Sequence, residues 1–290
     1  MIPQEIENSL VDYFSKNYKA PFQIDKISSL SGGCINNVCR LQTSSGDFCL
    51  KYNLQYSFPE MFTSEAKGLT LLKSAGEIQV PEVYYTGITA SFAYILMEYI
   101  DQGRKHPSFM QDFGHSLARL HKHSSACFGL EIDNYMGSLP QVNKKHSTWN
   151  EFFIEERLKK QVSLGKEYFS PGDLRAFENL YRKLDELLIV EPPALIHGDL
   201  WGGNYMVAHN GKACLIDPAV YYGHREVDIA MTTLFGGFDD QFYESYNQEY
   251  RLEKGWQKRL DIFKLYPLLI HLNLFGSGYL GSILNIIRRF

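Results

Sequence analysis

The chain has 290 residues, 44% of them hydrophobic, and a formal net charge of −4. That length supports one large domain or two lobes around a cleft, and the acidic balance excludes the basic footprint of a nucleic-acid binder. Five cysteines, at 34, 39, 49, 127 and 214, are an odd number without paired metal-site spacing, so free thiols in a reducing cytoplasm are expected. The opening Met1-Ile2-Pro3-Gln4-Glu5 lacks a basic segment followed by an apolar run, so no signal peptide is expected.

In chain order, Ile6, Leu10, Tyr13 and Phe14 recur at helical spacing and predict a helix over 4–17. Strands follow at 22–30, 37–43 and 48–52, separated by turns at Ser31-Gly32-Gly33 and Ser44-Ser45-Gly46-Asp47. A helix is expected over 62–75, with Phe62, Leu69 and Leu72 on one face, then strands at 83–86 and 92–99. From Pro107 onward helical periodicity dominates: Phe113, Leu117, Leu120 and His121 share a face, and helices are expected at 149–169 and 172–188. A short strand-rich segment at 194–216 interrupts them, and helices resume at 225–235, 239–250 and 257–290. Strands first and helices afterwards predict an α+β, bilobal chain: a small β-rich lobe over 1–100 and a larger, mainly helical lobe over 101–290, joined near Ile100-Asp101-Gln102-Gly103. Residues 265–287 carry no Asp, Glu, Lys or Arg and are long enough to span a bilayer. Pro267, His271, Asn273, Asn285 and glycines 276, 278 and 281 oppose insertion, so a buried helix broken near Gly276–Gly278, with no membrane contact, is expected.

The chemistry concentrates in His197-Gly198-Asp199-Leu200-Trp201-Gly202-Gly203-Asn204 and in Asp217, which ends the apolar run Cys214-Leu215-Ile216. Phosphoryl transfer from ATP needs a carboxylate to accept the proton of an attacking hydroxyl, and an amide oxygen with a second carboxylate to hold Mg²⁺ against the phosphates. The kinase catalytic loop H-x-D-x-x-x-x-N followed by an Asp after a short hairpin has that order; here His197, Asp199, Asn204 and Asp217 fill it. Asp199 is therefore the expected base, and Asn204 and Asp217 the expected metal ligands. A turn held by a hydrogen-bonded Asp and Asn would account for any one of these residues, but not for all four between β-like runs. Upstream, Gly32, Gly33 and Cys34 stand in a loop between two strands, where glycines let backbone amides approach phosphates. Lys51, at a strand end, is expected on the phosphates, with Glu65 of the following helix as its partner in preference to Glu60 or Glu77. The apolar run ending in Met97, Glu98, Tyr99 and Ile100 enters the lobe linker and can offer backbone groups to adenine. His197 is expected to hold the loop rather than act as a base, Asp228 to anchor the loop's backbone, and His121 and His123 to cap helix carbonyls.

These residues together resemble the fructosamine/ketosamine-3-kinase family, which shares the protein-kinase-like fold of aminoglycoside and choline kinases. The resemblance rests on the 197–204 motif, where the family usually has Ser at the position of Gly202, and on Asp217-Pro218-Ala219-Val220-Tyr221-Tyr222-Gly223-His224-Arg225-Glu226-Val227-Asp228. It rests also on Leu234-Phe235-Gly236-Gly237-Phe238 and on the run from Leu265 to Gly276. It covers the chain from about residue 22 onward and implies ATP and Mg²⁺ as cofactors. The implied substrate is a small-molecule or protein-bound ketosamine, phosphorylated on its 3-hydroxyl to an unstable product that releases the amine. Trp201, Tyr222, His224 and Arg225, on loops near Asp199 and Asp217, are expected to face the substrate, with packing as the alternative for Trp201 and Tyr222. Two alternatives stand beside this reading: an aminoglycoside- or choline-type kinase on the same scaffold, and a non-catalytic nucleotide-binding redox sensor. Cys34 reads either as a small residue packed under its loop or as a redox switch, so the expected state is a monomer or a redox-linked homodimer in the cytoplasm.

Overall fold

The computed structural model describes residues 1–18, 22–30, 35–236 and 238–290. Helix α1 (Gln4–Tyr18) leads into strands β1 (Ile24–Ser29), β2 (Asn37–Thr43) and β3 (Gly46–Leu54), then helix α2 (Met61–Ala75) and strands β4 (Val83–Ile88) and β5 (Phe92–Glu98). The five strands form one antiparallel sheet in the order β1-β2-β3-β5-β4. Alternation along β5 assigns its faces. Tyr94 and Leu96 turn to α1, whose Ile6, Leu10 and Phe14 pack on Leu41 and Leu50. Ile95 and Met97 turn the other way, to Phe62, Leu69 and Leu72 of α2. The sheet is thus buried between two helices, and α2 is pressed against the face from which Lys51 projects.

Helix α3 (Phe109–Leu120) opens the helical part, followed by a hairpin of β6 (Asn134–Met136) and β7 (Leu139–Gln141). Helix α4 (Trp149–Phe152) runs through a π-helical turn (Phe153–Leu158) into α5 (Lys159–Leu164), and α6 (Pro171–Leu187) follows. Strand β8 (Ala194–Ile196), the pair β9 (Tyr205–Val207) and β10 (Ala213–Leu215), and β11 (Tyr221–Gly223) come next. Helices α7 (Glu226–Thr232), α8 (Asp240–Glu249), α9 (Trp256–Phe275) and α10 (Leu280–Ile287) complete the chain. The α+β architecture is the expected one. Helix α6 begins with a capping box, Ser170 and Asp173 satisfying each other's backbone N–H, and with Pro171 in its first turn.

Three local expectations are corrected. The single helix expected over 149–169 is interrupted, because the π-helical turn brings the side chain of Arg157 inward. Its guanidinium lies 4.4 Å from the Phe152 ring and 4.2 Å from the Tyr221 ring, with an Nη2 bond of 2.6 Å to Asn143 Oδ1. The hairpin β6–β7 and strand β11, which pairs with β8, were not expected; three-residue strands are too short to show a period. His121 does not serve chiefly as a helix cap: it is buried and bonded through both ring nitrogens to Tyr246 and Asp228. The charge-free stretch is helix, broken as expected at Gly276, whose φ of 87° stops α9, but only its first part is buried: beyond Leu272 it is largely half-buried or exposed, with Phe275 on the surface. No helix among the described residues is long and apolar enough to cross a membrane.

Candidate active site

The loop between β8 and β9 carries His197, Asp199 and Asn204, and three residues shape it: Gly198, Asp228 and His197 itself. Gly198 adopts φ 83°, and a Cβ there would lie 2.1 Å from the Ala219 carbonyl oxygen, so only glycine fits. Both oxygens of Asp228, from α7, accept backbone amides: His197 N–H at 2.8 Å and Gly198 N–H at 2.9 Å. Burial alone would push the Asp228 carboxyl up. The hydrogen bond from His121, the neighbouring imidazoles and the His197 amide outweigh it and hold the carboxyl below the usual range. The His197 ring donates from Nε2 to the Ile216 carbonyl (3.0 Å) and accepts the Asp199 N–H at Nδ1 (3.3 Å), a neutral tautomer that burial favours by lowering its pKa. His197 and Asp228 therefore occupy the loop-holding positions expected of them. His123 lies 3.4 Å from Glu77, which also accepts from Arg119.

Asn204 donates to the main-chain oxygen of Asp199 at 2.8 Å and to its Oδ2 at 2.9 Å, which leaves the amide oxygen of Asn204 for a cation. The Asp199 side chain is half-buried, with its open side on the cleft. Desolvation, opposed by the Asn204 hydrogen bond and aided by the charges of Asp217 and Asp228, pushes its carboxyl up to about 8. A carboxylate so poised is suited to accept a proton near neutral pH. Asp217 follows β10 in the left-handed region, φ 54°, a conformation that costs energy for a non-glycine residue and marks a constrained position. Lys51, buried within β3, bonds to Glu65 Oε1 at 2.7 Å and to Asp217. Burial opposes its charge, but the two carboxylates outweigh burial and raise its pKa, so the ammonium persists. Glu65 reaches it because Gly68, one turn further along α2, sits against Val220 and Pro218; a Cβ there would be 3.3 Å from Val220 Cγ2.

Two cavities meet at this ion pair. The smaller, ≈ 380 Å³, is lined by Met97, Glu98, Tyr99 and Ile100 with Leu30, Cys49, Leu69, Met206 and Ile216. The larger, ≈ 530 Å³, is lined by Asp199, Trp201 and Asn204, by Tyr135 and Met136 of the hairpin, and by Phe235, His271, Phe275 and Tyr279. Val38, Lys51, Glu65 and Asp217 line both. A smaller and a larger cavity thus share a wall that holds one cation and two carboxylates.

The structure brings Asp199, Trp201, Asn204, Asp217, Lys51, Glu65 and the 97–100 segment together. Gly32, Gly33 and Cys34 lie outside the described residues. Tyr222, His224 and Arg225 are not brought to either cavity, which corrects the expectation that they face the substrate. Tyr222 is paired within β11 and bonded through its backbone to Gly129. His224 is fully buried against the rings of Trp149 (5.9 Å) and Phe263 (4.8 Å). Arg225 grips Glu191 with two bonds of 2.7 Å and lies 3.8 Å over the Tyr250 ring. Their proximity to Asp217 in sequence is undone by β11, which turns the chain away from the cleft. The residues missed were Tyr135, Phe235, His271, Phe275 and Tyr279. A signal existed for the last three, since His271, Phe275 and Tyr279 follow one another at four-residue spacing in the charge-free stretch.

A family model described as Fructosamine kinase matches residues 6–290. The chain is 38% identical over 273 residues to the chloroplastic protein-ribulosamine 3-kinase of Arabidopsis thaliana, covering 91% of this chain and 82% of that protein. It is 39% identical over 271 residues to a provisionally described ketoamine kinase of Enterococcus faecium, covering 91% of this chain and 95% of that one. A crystal structure from Haemophilus somnus, provisionally described as a fructosamine-3-kinase, superposes with a TM-score of 0.89 at 27% identity over 99% of this chain and 98% of the other.

Proposed function

Because the chain belongs to the fructosamine kinase family, we propose that it transfers the γ-phosphoryl group of ATP to the 3-hydroxyl of a ketosamine, the sugar–amine adduct that its ribulosamine and ketoamine kinase relatives are named for. It is an ATP-dependent phosphotransferase with an alcohol group as acceptor. One observation carries the assignment of parts: the two cavities join at Lys51, Glu65 and Asp217, and Asp199 stands only in the larger. Adenine then lies in the smaller cavity beside Met97, Glu98, Tyr99 and Ile100. Lys51 neutralises phosphate charge at the junction, held by Glu65. The acceptor occupies the larger cavity, where Asp199 takes the proton of the attacking hydroxyl on its carboxylate.

The residues fit Mg²⁺. Asn204 offers an amide oxygen and Asp217 a carboxylate on the same wall, a hard-oxygen pair of the kind that ion takes together with phosphate oxygens. When bound, the ion neutralises charge on the transferring phosphoryl group. Asn204 also fixes the Asp199 carboxylate, and Lys51 turns Asp217 toward the junction. An aminoglycoside is a polycation and calls for acidic residues around it. The acids lining the larger cavity are Glu65, Asp199 and Asp217, all at the reacting end, and the outer wall is aromatic. Trp201 is 37% and Phe275 60% exposed, so the mouth is open enough for either a free or a protein-bound amine carrier.

The test is an ATP-consumption assay with Mg²⁺ on fructosyl-lysine, ribulosyl-lysine, an aminoglycoside and choline side by side, with phosphorus NMR of the product. A 3-phosphate ester that decays with release of free amine is expected. A stable 6-phosphate, or turnover of choline alone, would sink the proposal.

A further inference from the structure

We propose that Asn36 is a specificity-determining residue for the acceptor: its side-chain nitrogen donates to a sugar oxygen of the bound ketosamine, and Asn53 sets the direction in which it donates. The inference rests on the reading that the acceptor occupies the larger cavity. Asn36 follows Gly32-Gly33-Cys34 closely in sequence, a place that points first to the nucleotide. The cavity walls divide otherwise. Ile35 and Asn36 line the larger cavity and neither lines the smaller, whereas Val38, two residues after Asn36, lines both. Ile35 also reaches the turn of the β6–β7 hairpin. A Cβ at Gly137 would lie 2.9 Å from Leu274 Cδ1 and 3.8 Å from Ile35 Cδ1, and all three residues line the larger cavity.

The strand register explains how Asn36 is held. Asn53 stands two residues after Lys51 in β3, so both side chains leave the sheet on the same face, toward α2. Asn53 is only 5% exposed. Its Nδ2 lies 2.7 Å from Asn36 Oδ1 and 3.5 Å from the sulfur of Met61, the first residue of α2. A thioether sulfur accepts and cannot donate, so the Asn53 nitrogen is the atom that faces it. Asn36 must then turn its oxygen to Asn53 and its nitrogen away. The Asn53 oxygen is left unpaired in the core, a cost that an apolar residue at this position would avoid. Asn36 itself is half-buried, and its Nδ2 has no partner among the described residues.

This polarity selects which part of a ketosamine can pair with Asn36. The amine of the adduct is a secondary ammonium, which only donates, and Asn36 Nδ2 also only donates. The hydroxyl and carbonyl oxygens of the sugar accept. Asn36 therefore reads the sugar and is indifferent to the amine carrier. A contact of this kind, away from the bond being made, is equally strong in the ground state and in the transition state. Its loss weakens binding of the acceptor and leaves the chemical step alone.

The experiment compares Asn36→Ala, Asn53→Val and the double variant in steady-state assays with Mg-ATP. Fructosyl-lysine and fructosyl-glycine serve as acceptors with one sugar and two carriers. Asn36→Ala should raise the KM for both adducts about 3- to 10-fold, the loss of one neutral hydrogen bond, with kcat and the KM for ATP within about two-fold of the wild type. Asn53→Val, a residue suited to a strand, frees the Asn36 amide to rotate. It should raise the ketosamine KM in the same direction by a smaller factor and add nothing to Asn36→Ala. An unchanged ketosamine KM in Asn36→Ala overturns the proposal, as does an equal or larger rise in the KM for ATP, or a rise confined to one carrier. Should Asn36→Ala fail to fold, Asn53→Val decides: a rise in the ketosamine KM alone supports the proposal, and unchanged values overturn it. A wild type that phosphorylates no ketosamine would sink the functional reading and this inference together, whereas an active wild type with unchanged KM in the variants sinks the inference alone.

Discussion

Asp199, Asn204, Asp217 and Lys51 were legible as a site because phosphoryl transfer restricts residue type and order at once, and chemistry of that kind survives in a bare sequence. What lay beyond reach was direction: His224 and Arg225 stand seven and eight positions after Asp217, yet they point into packed helices and not into the cleft. Asp199→Asn should lower kcat about 100- to 10,000-fold while the melting temperature changes little, the range general-base removal commands; a steady-state assay that kept most of its turnover would remove the base assignment. His224 carries a pH prediction of its own. Desolvation, only partly offset by Glu191, pulls its pKa down to about 4. In the unfolded chain the ring titrates at its ordinary value of about 6.5. Below that value the unfolded state binds a proton that the folded state refuses, so stability falls as pH drops from about 6.5 to about 4 and gains no further contribution from this ring below it. Urea titrations across that window should show a shallower slope for His224→Asn than for the wild type, and parallel slopes would show that the ring is not responsible.

At the scale of elements, amphipathic helices were readable and pairings of three residues were not. Helices α1 and α2 were recovered nearly to their ends because Ile6, Leu10 and Phe14, and Phe62, Leu69 and Leu72, carry the helical period through several turns. The hairpin β6–β7 had no such signal, although it builds one wall of the larger cavity. Its residues hold the segment after Asp217: Asn134 donates to the Val220 carbonyl (2.8 Å) and Gln141 to the Ala219 carbonyl (3.1 Å). Arg157 supports that hairpin from the π-helical turn, through the Val142 carbonyl and Asn143 Oδ1. Arg157→Met would leave Asn143 Oδ1 bare in the core, at about 1–3 kcal/mol, and the half-buried Val142 carbonyl without its donor, and should lower the melting temperature clearly; an unchanged denaturation midpoint would mean that water or a shifted side chain replaces the guanidinium. Gly68 is the matching point on α2. Gly68→Val places two methyl groups against Val220, an overpacking cost of about 1–3 kcal/mol. It should also lower kcat by tilting Glu65 from Lys51, and a variant destabilised but fully active would separate helix packing from the ion pair.

For the whole molecule, the division of labour between two cavities with one shared wall is the feature from which function follows, and only half of it was visible beforehand. The shared wall was legible because a strand lysine followed by a helix carboxylate stands in the order that a phosphate site requires. The larger cavity is assembled from a hairpin, the 235 region and the C-terminal helices, which no local period brings together. The two sides can be tested apart through ligand-linked stability, since a ligand that binds only the folded chain stabilises it by about 2.7 kcal/mol at a hundred times its dissociation constant. Lys51 touches both cavities and is proposed to serve phosphate, whereas Trp201 lines only the larger and is partly exposed, so its loss should leave the fold intact. Lys51→Met should therefore lose most of the thermal shift given by Mg-ATP and retain the shift given by a ketosamine. Trp201→Ala should do the reverse. Loss of both shifts in both variants would mean that the cavities are not separate binding sites, and that acceptor and nucleotide order one common pocket.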